Sequence, residues 1–151
     1  MTQNKIAYLE RAISIACDAH KGQVDKSGEP YILHPLRVMQ KFTDYDEMIT
    51  AILHDVIEDS SMSIEDLKSF GFNESVTNAL NLLTKSNEDS YSEYIERISS
   101  NTLATRIKIA DLKDNLDITR LSNISDSDMQ RAKKYHESLS FLSTKIKNSS
   151  A

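Results

Sequence analysis

The stretch Ile52-Leu-His-Asp-Val-Ile-Glu-Asp59 concentrates an imidazole and three carboxylates. His54 and Asp55 are adjacent, and Glu58 and Asp59 each follow one helical turn later. At about 100° per residue, these four polar groups fall on one arc of about 140° of a single helix. Met48, Ile49, Ile52, Leu53, Val56 and Ile57 fill the opposite side and read as core. Ionisable groups this close need a cation or water among them. Imidazole and carboxylate together are a usual ligand set for a divalent metal.

Two more residues attract notice. His34 precedes Pro35, and proline suits the first position of a helix, so His34 is expected at or near an N-cap. Asp111 lies beside an apolar seam of Ile109, Leu112 and Leu116. A carboxylate there has poor helix propensity and a desolvation cost, so it requires a partner.

The elements that must hold these residues are helices. Ile6, Leu9, Ile13 and Ala16 recur at helical spacing, predicting a first helix over residues 5–20. Ala12 and Cys17 flank that stripe, and Cys17 reads as a small buried hydrophobe. A loop rich in turn formers spans residues 23–30, and a second helix carries Leu36, Val38, Met39 and Phe42. Ser63 with Asp66 resembles a capping box, and Asn73 caps the helix after Gly71. Tyr91, Tyr94, Ile95 and Ile98 begin another helix. Residues 103–120 read as one long helix, and a last one restarts between Ser125 and Asp128. With no convincing strand and no internal repeat, the expected fold is an all-α bundle of about eight helices.

Composition narrows the function classes. A chain of 151 residues suits one domain with one sizeable core. Three Gly and two Pro argue against a turn-rich all-β fold. A net charge of −5 argues against nucleic acid as a general partner. A single cysteine fits a reducing compartment. Neither a signal peptide nor a long apolar run is evident, so a soluble, cytoplasmic protein with no membrane partner is expected. Oligomeric state stays open.

His34, the His54-Asp55 pair and Asp111 occur in the order that defines the HD-domain metal-dependent phosphohydrolases, which the chain resembles. More closely, it resembles the hydrolase domain of RelA/SpoT-type proteins and its free-standing small relatives, the metazoan SpoT homologues among them. Ala19-His-Lys-Gly-Gln23 and Ser27-Gly-Glu-Pro-Tyr-Ile-Leu-His-Pro35 resemble the opening motif of that family. Leu53-His-Asp-Val-Ile-Glu-Asp59 resembles its centre, and Ile107-Lys-Ile-Ala-Asp111 with Asn115 its closing metal motif. The likeness covers residues 6–142 and leaves none for a synthetase or regulatory domain, so a single HD-type domain over residues 1–151 is expected.

The resemblance implies that His34, His54, Asp55 and Asp111 hold one metal, Mn²⁺. It implies that Glu58 and Asp59 orient and activate the attacking water. A divalent ion lowers the pKa of water and neutralises phosphate charge while a carboxylate takes the proton. Lys26, Ser27 and Asn115 match nucleotide-contacting positions, and Lys108, one turn before Asp111, is placed to meet a phosphate. The implied reaction removes the 3′-pyrophosphate from ppGpp-like alarmones. Two positions depart from the pattern. Asp25 replaces a basic residue that packs on guanine, and an acid cannot stack as a guanidinium does. Ile118 stands where a threonine is usual, with Thr119 one place late. Two alternatives follow: an HD phosphohydrolase for another nucleotide phosphate, such as a phosphorylated dinucleotide, or a helical module that binds nucleotide without turnover.

Overall fold

The computed structural model describes residues 2–150, with side chains described for residues 4–149. The described residues form nine α-helices and one 3-10 turn. They are α1 (Thr2–Ala19), α2 (Leu33–Met39), α3 (Tyr45–Leu53), α4 (Val56–Asp59) and α5 (Ile64–Ser69). There follow α6 (Glu74–Leu83), α7 (Tyr91–Ile98), α8 (Thr102–Asn115), the 3-10 turn Ile118–Arg120, and α9 (Asp126–Ser150). Among the described residues the only extended pairing is an isolated bridge between Val24 and Pro30, so the fold is all-α as expected. None of the helices is long and apolar enough to cross a membrane.

Side-chain caps start most helices. Asp44 accepts from the Glu47 amide at α3, Asn73 from Val76 at α6 and Asn101 from Ala104 at α8. Ser63 and Asp66 make the reciprocal capping box anticipated for α5. Gly71, at φ +88, then turns the chain after α5 in a conformation that favours glycine.

Helix α3 lies at the centre, packed by α1, α2 and α6, and α8 bridges α6, α2 and α9. Ile52, Leu53, Val56, Leu80, Ile98, Ile107 and Leu112 are fully buried between them. Residues from α2, α3 and α8 that point inward therefore meet close to one another.

Three sequence expectations need correction. The helix expected through His54 and Asp59 breaks between α3 and α4. In a continuous helix the Ala51 carbonyl would accept from the Asp55 amide. Here it accepts from the His54 amide at 3.4 Å and from His54 Nδ1 at 2.6 Å. That one break turns the eight expected helices into nine. The helix expected over residues 103–120 ends at Asn115. Arg120 Nη2 occupies the Asp114 carbonyl at 2.9 Å, and the Asp117 carboxylate caps the 3-10 turn through the Thr119 amide at 3.2 Å. Cys17 is exposed rather than buried. The buried face of α1 is centred on Ala12 and Ala16, and Cys17 lies one residue off it.

Candidate metal centre and nucleotide cleft

Helix α2 contributes His34 from its first turn. The break between α3 and α4 contributes His54 and Asp55, and the middle of α8 contributes Asp111. One ligand atom from each of these four residues lies within 4.8 Å of all the others. His34 Nε2 is 2.9 Å from Asp111 Oδ1 and 3.6 Å from Asp55 Oδ2. His54 Nε2 is 2.9 Å from Asp55 Oδ2 and 3.3 Å from Asp111 Oδ1. The two rings meet edge-on, with centroids 5.2 Å apart.

The outer nitrogens decide the tautomers. His34 Nδ1 lies 2.6 Å from the Asp114 carboxylate, and His54 Nδ1 lies 2.6 Å from the Ala51 carbonyl. Both partners only accept, so both Nδ1 atoms carry hydrogen and both Nε2 lone pairs face inward. Two lone pairs and two carboxylates thus converge on one point. His54 Nε2 is buried and makes no hydrogen bond of acceptable geometry. Only a cation or added protons relieve this arrangement, so the donor set fits a divalent metal.

Electrostatics reflects the same crowding. Burial alone would lower the pKa of both histidines, yet the surrounding carboxylates raise them. Burial opposes the charge on Asp55, but His54 and His34 hold that carboxyl down at about 2. Asp111, against the same burial, is held well below the carboxylate range by Lys108, His54 and His34. A proton and a metal ion compete for the same two lone pairs.

A supporting shell surrounds these atoms. Asp111 Oδ2 accepts from Lys108 Nζ at 2.8 Å, and its Oδ1 accepts from Asn115 Nδ2 at 3.1 Å. Tyr31 donates its hydroxyl to Asp55 Oδ2 at 2.6 Å. Asp114 is bound in bidentate fashion by Arg37, at 2.8 and 3.0 Å, while it orients His34. Asp114, Tyr31 and Arg37 went unrecognised in the sequence. The available signal was Asp114 one turn after Asp111, on the same face of α8.

A cleft of about 460 Å³ opens beside His34. Lys26, Ser27 and Asn115 line it, together with Arg37, Arg120, Arg131, Ile118 and Tyr135. Asp25, Asp114, Asp117 and Asp128 line it too, and Arg37, Arg120 and Arg131 pair with the last three, so the wall is mixed in charge. Lys108 is not on this wall. Its ammonium is spent on Asp111 and lies 5.3 Å from the Tyr94 ring centre. Asp25 is on the wall, but its carboxylate turns back into its own loop. It accepts from the Ser27 amide at 2.9 Å, the Ser27 hydroxyl at 2.7 Å and the Glu29 amide at 3.0 Å.

Glu58 and Asp59 stand on α4, outside both the ligand set and the cleft wall. Glu58 accepts from the Lys85 amide at 2.5 Å, and the Asp59 carbonyl accepts from Gln23 Nε2 at 2.8 Å. Desolvation, reinforced by the negative charge of Asp55, pushes both carboxyls up.

No profile of a known protein family matches the chain. Individual proteins do. Over 89 residues the chain is 37% identical to the bifunctional (p)ppGpp synthase/hydrolase SpoT of Escherichia coli K12, covering 56% of the chain and 12% of that protein. Over 118 residues it is 36% identical to the guanosine-3′,5′-bis(diphosphate) 3′-pyrophosphohydrolase of Aquifex aeolicus, covering 72% of the chain and 17% of that protein. The chain therefore spans less than a fifth of the length of these relatives. A solved structure, described as a metazoan orthologue of SpoT that hydrolyses ppGpp and plays a role in starvation responses, superimposes with a TM-score of 0.72. It is 26% identical, and the match covers 94% of this chain and 93% of that one.

A helical bundle that brings a histidine, a His-Asp pair and a distant aspartate to one point is an HD domain. Within that class the chain is similar to the SpoT-type hydrolases.

Proposed function

We propose that the chain is a metal-dependent pyrophosphohydrolase that removes the 3′-pyrophosphate from ppGpp-like guanosine alarmones. The observation that carries this reading is the convergence of two imidazole lone pairs and two carboxylates beside a polar cleft. His34, His54, Asp55 and Asp111 would hold one ion, Mn²⁺. A bound divalent ion lowers the pKa of water and offsets phosphate charge.

The remaining work falls to the chain's own side chains. Lys26, Ser27 and Asn115 bind the nucleotide in the cleft, and Lys108 orients Asp111 from behind. Glu58, with its carboxyl pushed up and one oxygen fixed by the Lys85 amide, accepts the proton of the attacking water. Asp59 beside it orients that water. The oxygen of water bonds to the phosphorus carried by the 3′-oxygen. The bond from that phosphorus to the 3′-oxygen breaks, that oxygen takes up a proton to become the 3′-hydroxyl of the nucleotide, and pyrophosphate is released. A reducing, cytoplasmic setting agrees with the exposed, unpaired Cys17.

A second reading keeps the reaction and changes the nucleotide. Asp25 favours it, since an inward-turned carboxylate offers no face on which a guanine can stack. One assay tests both. Purified protein with Mn²⁺ is given ppGpp and a panel of other nucleotide phosphates, and released pyrophosphate is separated from orthophosphate. Pyrophosphate from ppGpp supports the first reading. Turnover of another nucleotide alone supports the second, and no turnover with any divalent metal overturns both.

A further inference from the structure

His20 belongs neither to the ligand set nor to the cleft wall, yet it touches both sides of the site. It is buried, 2% exposed, at the end of α1. Its Nδ1 lies 2.8 Å from Gln23 Oε1. Gln23 Nε2 donates to the Ala19 carbonyl at 3.2 Å and to the Asp59 carbonyl at 2.8 Å. Both of those partners are carbonyls, so the amide nitrogen must face them and Oε1 must face His20. His20 therefore donates from Nδ1. Its Nε2 is buried without a hydrogen-bond partner among the described residues. The ring also packs on Tyr31, with centroids 5.0 Å apart, and Tyr31 donates to Asp55.

Helix α4 needs such support. It has four residues, too few to persist without tertiary contacts. Its last residue is Asp59, whose carbonyl finds a partner in Gln23. A free Gln23 side chain would adopt many rotamers, and the His20 bond removes that freedom.

We propose that His20 is a positioning residue. Through Gln23 it fixes the carbonyl end of α4, which carries Glu58 and Asp59. The inference rests on the proposed roles of those two residues in hydrolysis. Misplacing a reacting group by about 1 Å costs up to about a hundred-fold in rate, so these indirect contacts weigh on turnover rather than on substrate affinity.

Three variants separate this role from simple packing. His20→Phe keeps the ring on Tyr31 and loses the donor. His20→Asn loses the ring and keeps an amide N–H near the position of Nδ1. Gln23→Leu breaks the same link from the partly exposed loop, so it carries the test even where His20→Phe folds poorly. Each is read by amide hydrogen exchange over residues 56–60 and by kcat, KM and metal content. His20→Phe and Gln23→Leu are expected to speed exchange in α4 and to lower kcat roughly ten- to hundred-fold. KM and metal content should stay within about two-fold, with His20→Asn recovering most of the lost kcat and His20→Phe combined with Gln23→Leu no worse than either alone. Unchanged exchange in α4, or His20→Asn no better than His20→Phe, overturns the proposal. An inactive wild type with fast exchange in the variants would sink the assigned reaction and leave the positioning role standing.

Discussion

His34 and Asp114 are 80 positions apart in the chain and lie 2.6 Å apart in the fold, imidazole Nδ1 to carboxylate oxygen. This contact fixes the His34 tautomer and aims Nε2 at Asp111 and Asp55. Arg37 grips the same carboxylate through two nitrogens, so its position does not depend on the histidine alone.

Asp114→Asn should therefore weaken the metal site without altering its four ligands. The amide can still accept from Nδ1 but no longer raises the basicity of the ring. Substitutions of this kind typically cost about 10–100-fold in metal affinity. Competitive titration of Mn²⁺ against a chelator measures it. Affinity within two-fold of wild type would mean that Asp114 serves only the fold.

Metal removal bears on stability as well. A ligand at about 100 times its dissociation constant stabilises a protein by about 2.7 kcal/mol. Chelation should then lower the thermal midpoint of the wild type by several degrees, and re-addition of Mn²⁺ should restore it. His54→Ala and Asp111→Ala should lose both the metal and its stabilisation, as well as activity. Elemental analysis beside thermal scans checks this, and equal metal content in all three proteins would refute the ligand assignment.

Much of this site was legible in the sequence, for identifiable reasons. The His54-Asp55 pair stood out because an apolar helical stripe framed it, and Asp111 because a carboxylate beside an apolar seam needs a partner. His34 was flagged by Pro35. The break after α3 was not legible, because it depends on the His54 ring capturing the Ala51 carbonyl, a side-chain bond that periodicity does not encode. Nor were Asp114 and Tyr31, whose partners lie on distant elements, nor His20, whose bond to Gln23 depends on the turn between them. The spacing of Lys108 by itself predicts a phosphate contact. The fold turns that same spacing, one turn before Asp111, into an ion pair within α8.

Glu58 yields a prediction with a defined pH dependence. Its carboxyl is pushed above the ordinary 4.5, first by desolvation and then by Asp55. A proton acceptor must be ionised, so kcat should fall as pH drops through this raised value. Glu58→Gln should keep the metal and the KM and lose about 10²–10⁴-fold in kcat. Stability runs the other way. Between 4.5 and the raised value the folded state binds more protons than the unfolded state, so Glu58 makes stability fall as pH rises through that window. The glutamine variant should lack this slope in denaturant titrations. Turnover within a few-fold of wild type would remove Glu58 from the base role, and loss of the metal would instead place it among the ligands.

Asp25 separates two opposing effects. An arginine there could stack on a guanine, and stacking of a base on a side chain is worth on the order of 1–3 kcal/mol. The native carboxylate, however, holds its own loop through the Ser27 amide, the Ser27 hydroxyl and the Glu29 amide. Those bonds outweigh its burial and hold its pKa down. Asp25→Arg removes all three acceptor contacts at once, each a charge-assisted bond that solvent exposure weakens. The same loop carries Lys26 and Ser27 into the cleft. Ordering it again on binding would then offset the gain from stacking. The expected result is a KM for ppGpp that rises by roughly three- to ten-fold in Asp25→Arg and in Asp25→Ala alike, with no improvement in guanine preference. Asp25→Asn keeps an oxygen in the same place and should stay within about two-fold of wild type. Steady-state kinetics on a guanine and an adenine substrate decides the matter. A ten-fold gain in kcat/KM for the guanine substrate alone would show that the base sits over this loop and that its internal hydrogen bonds are dispensable.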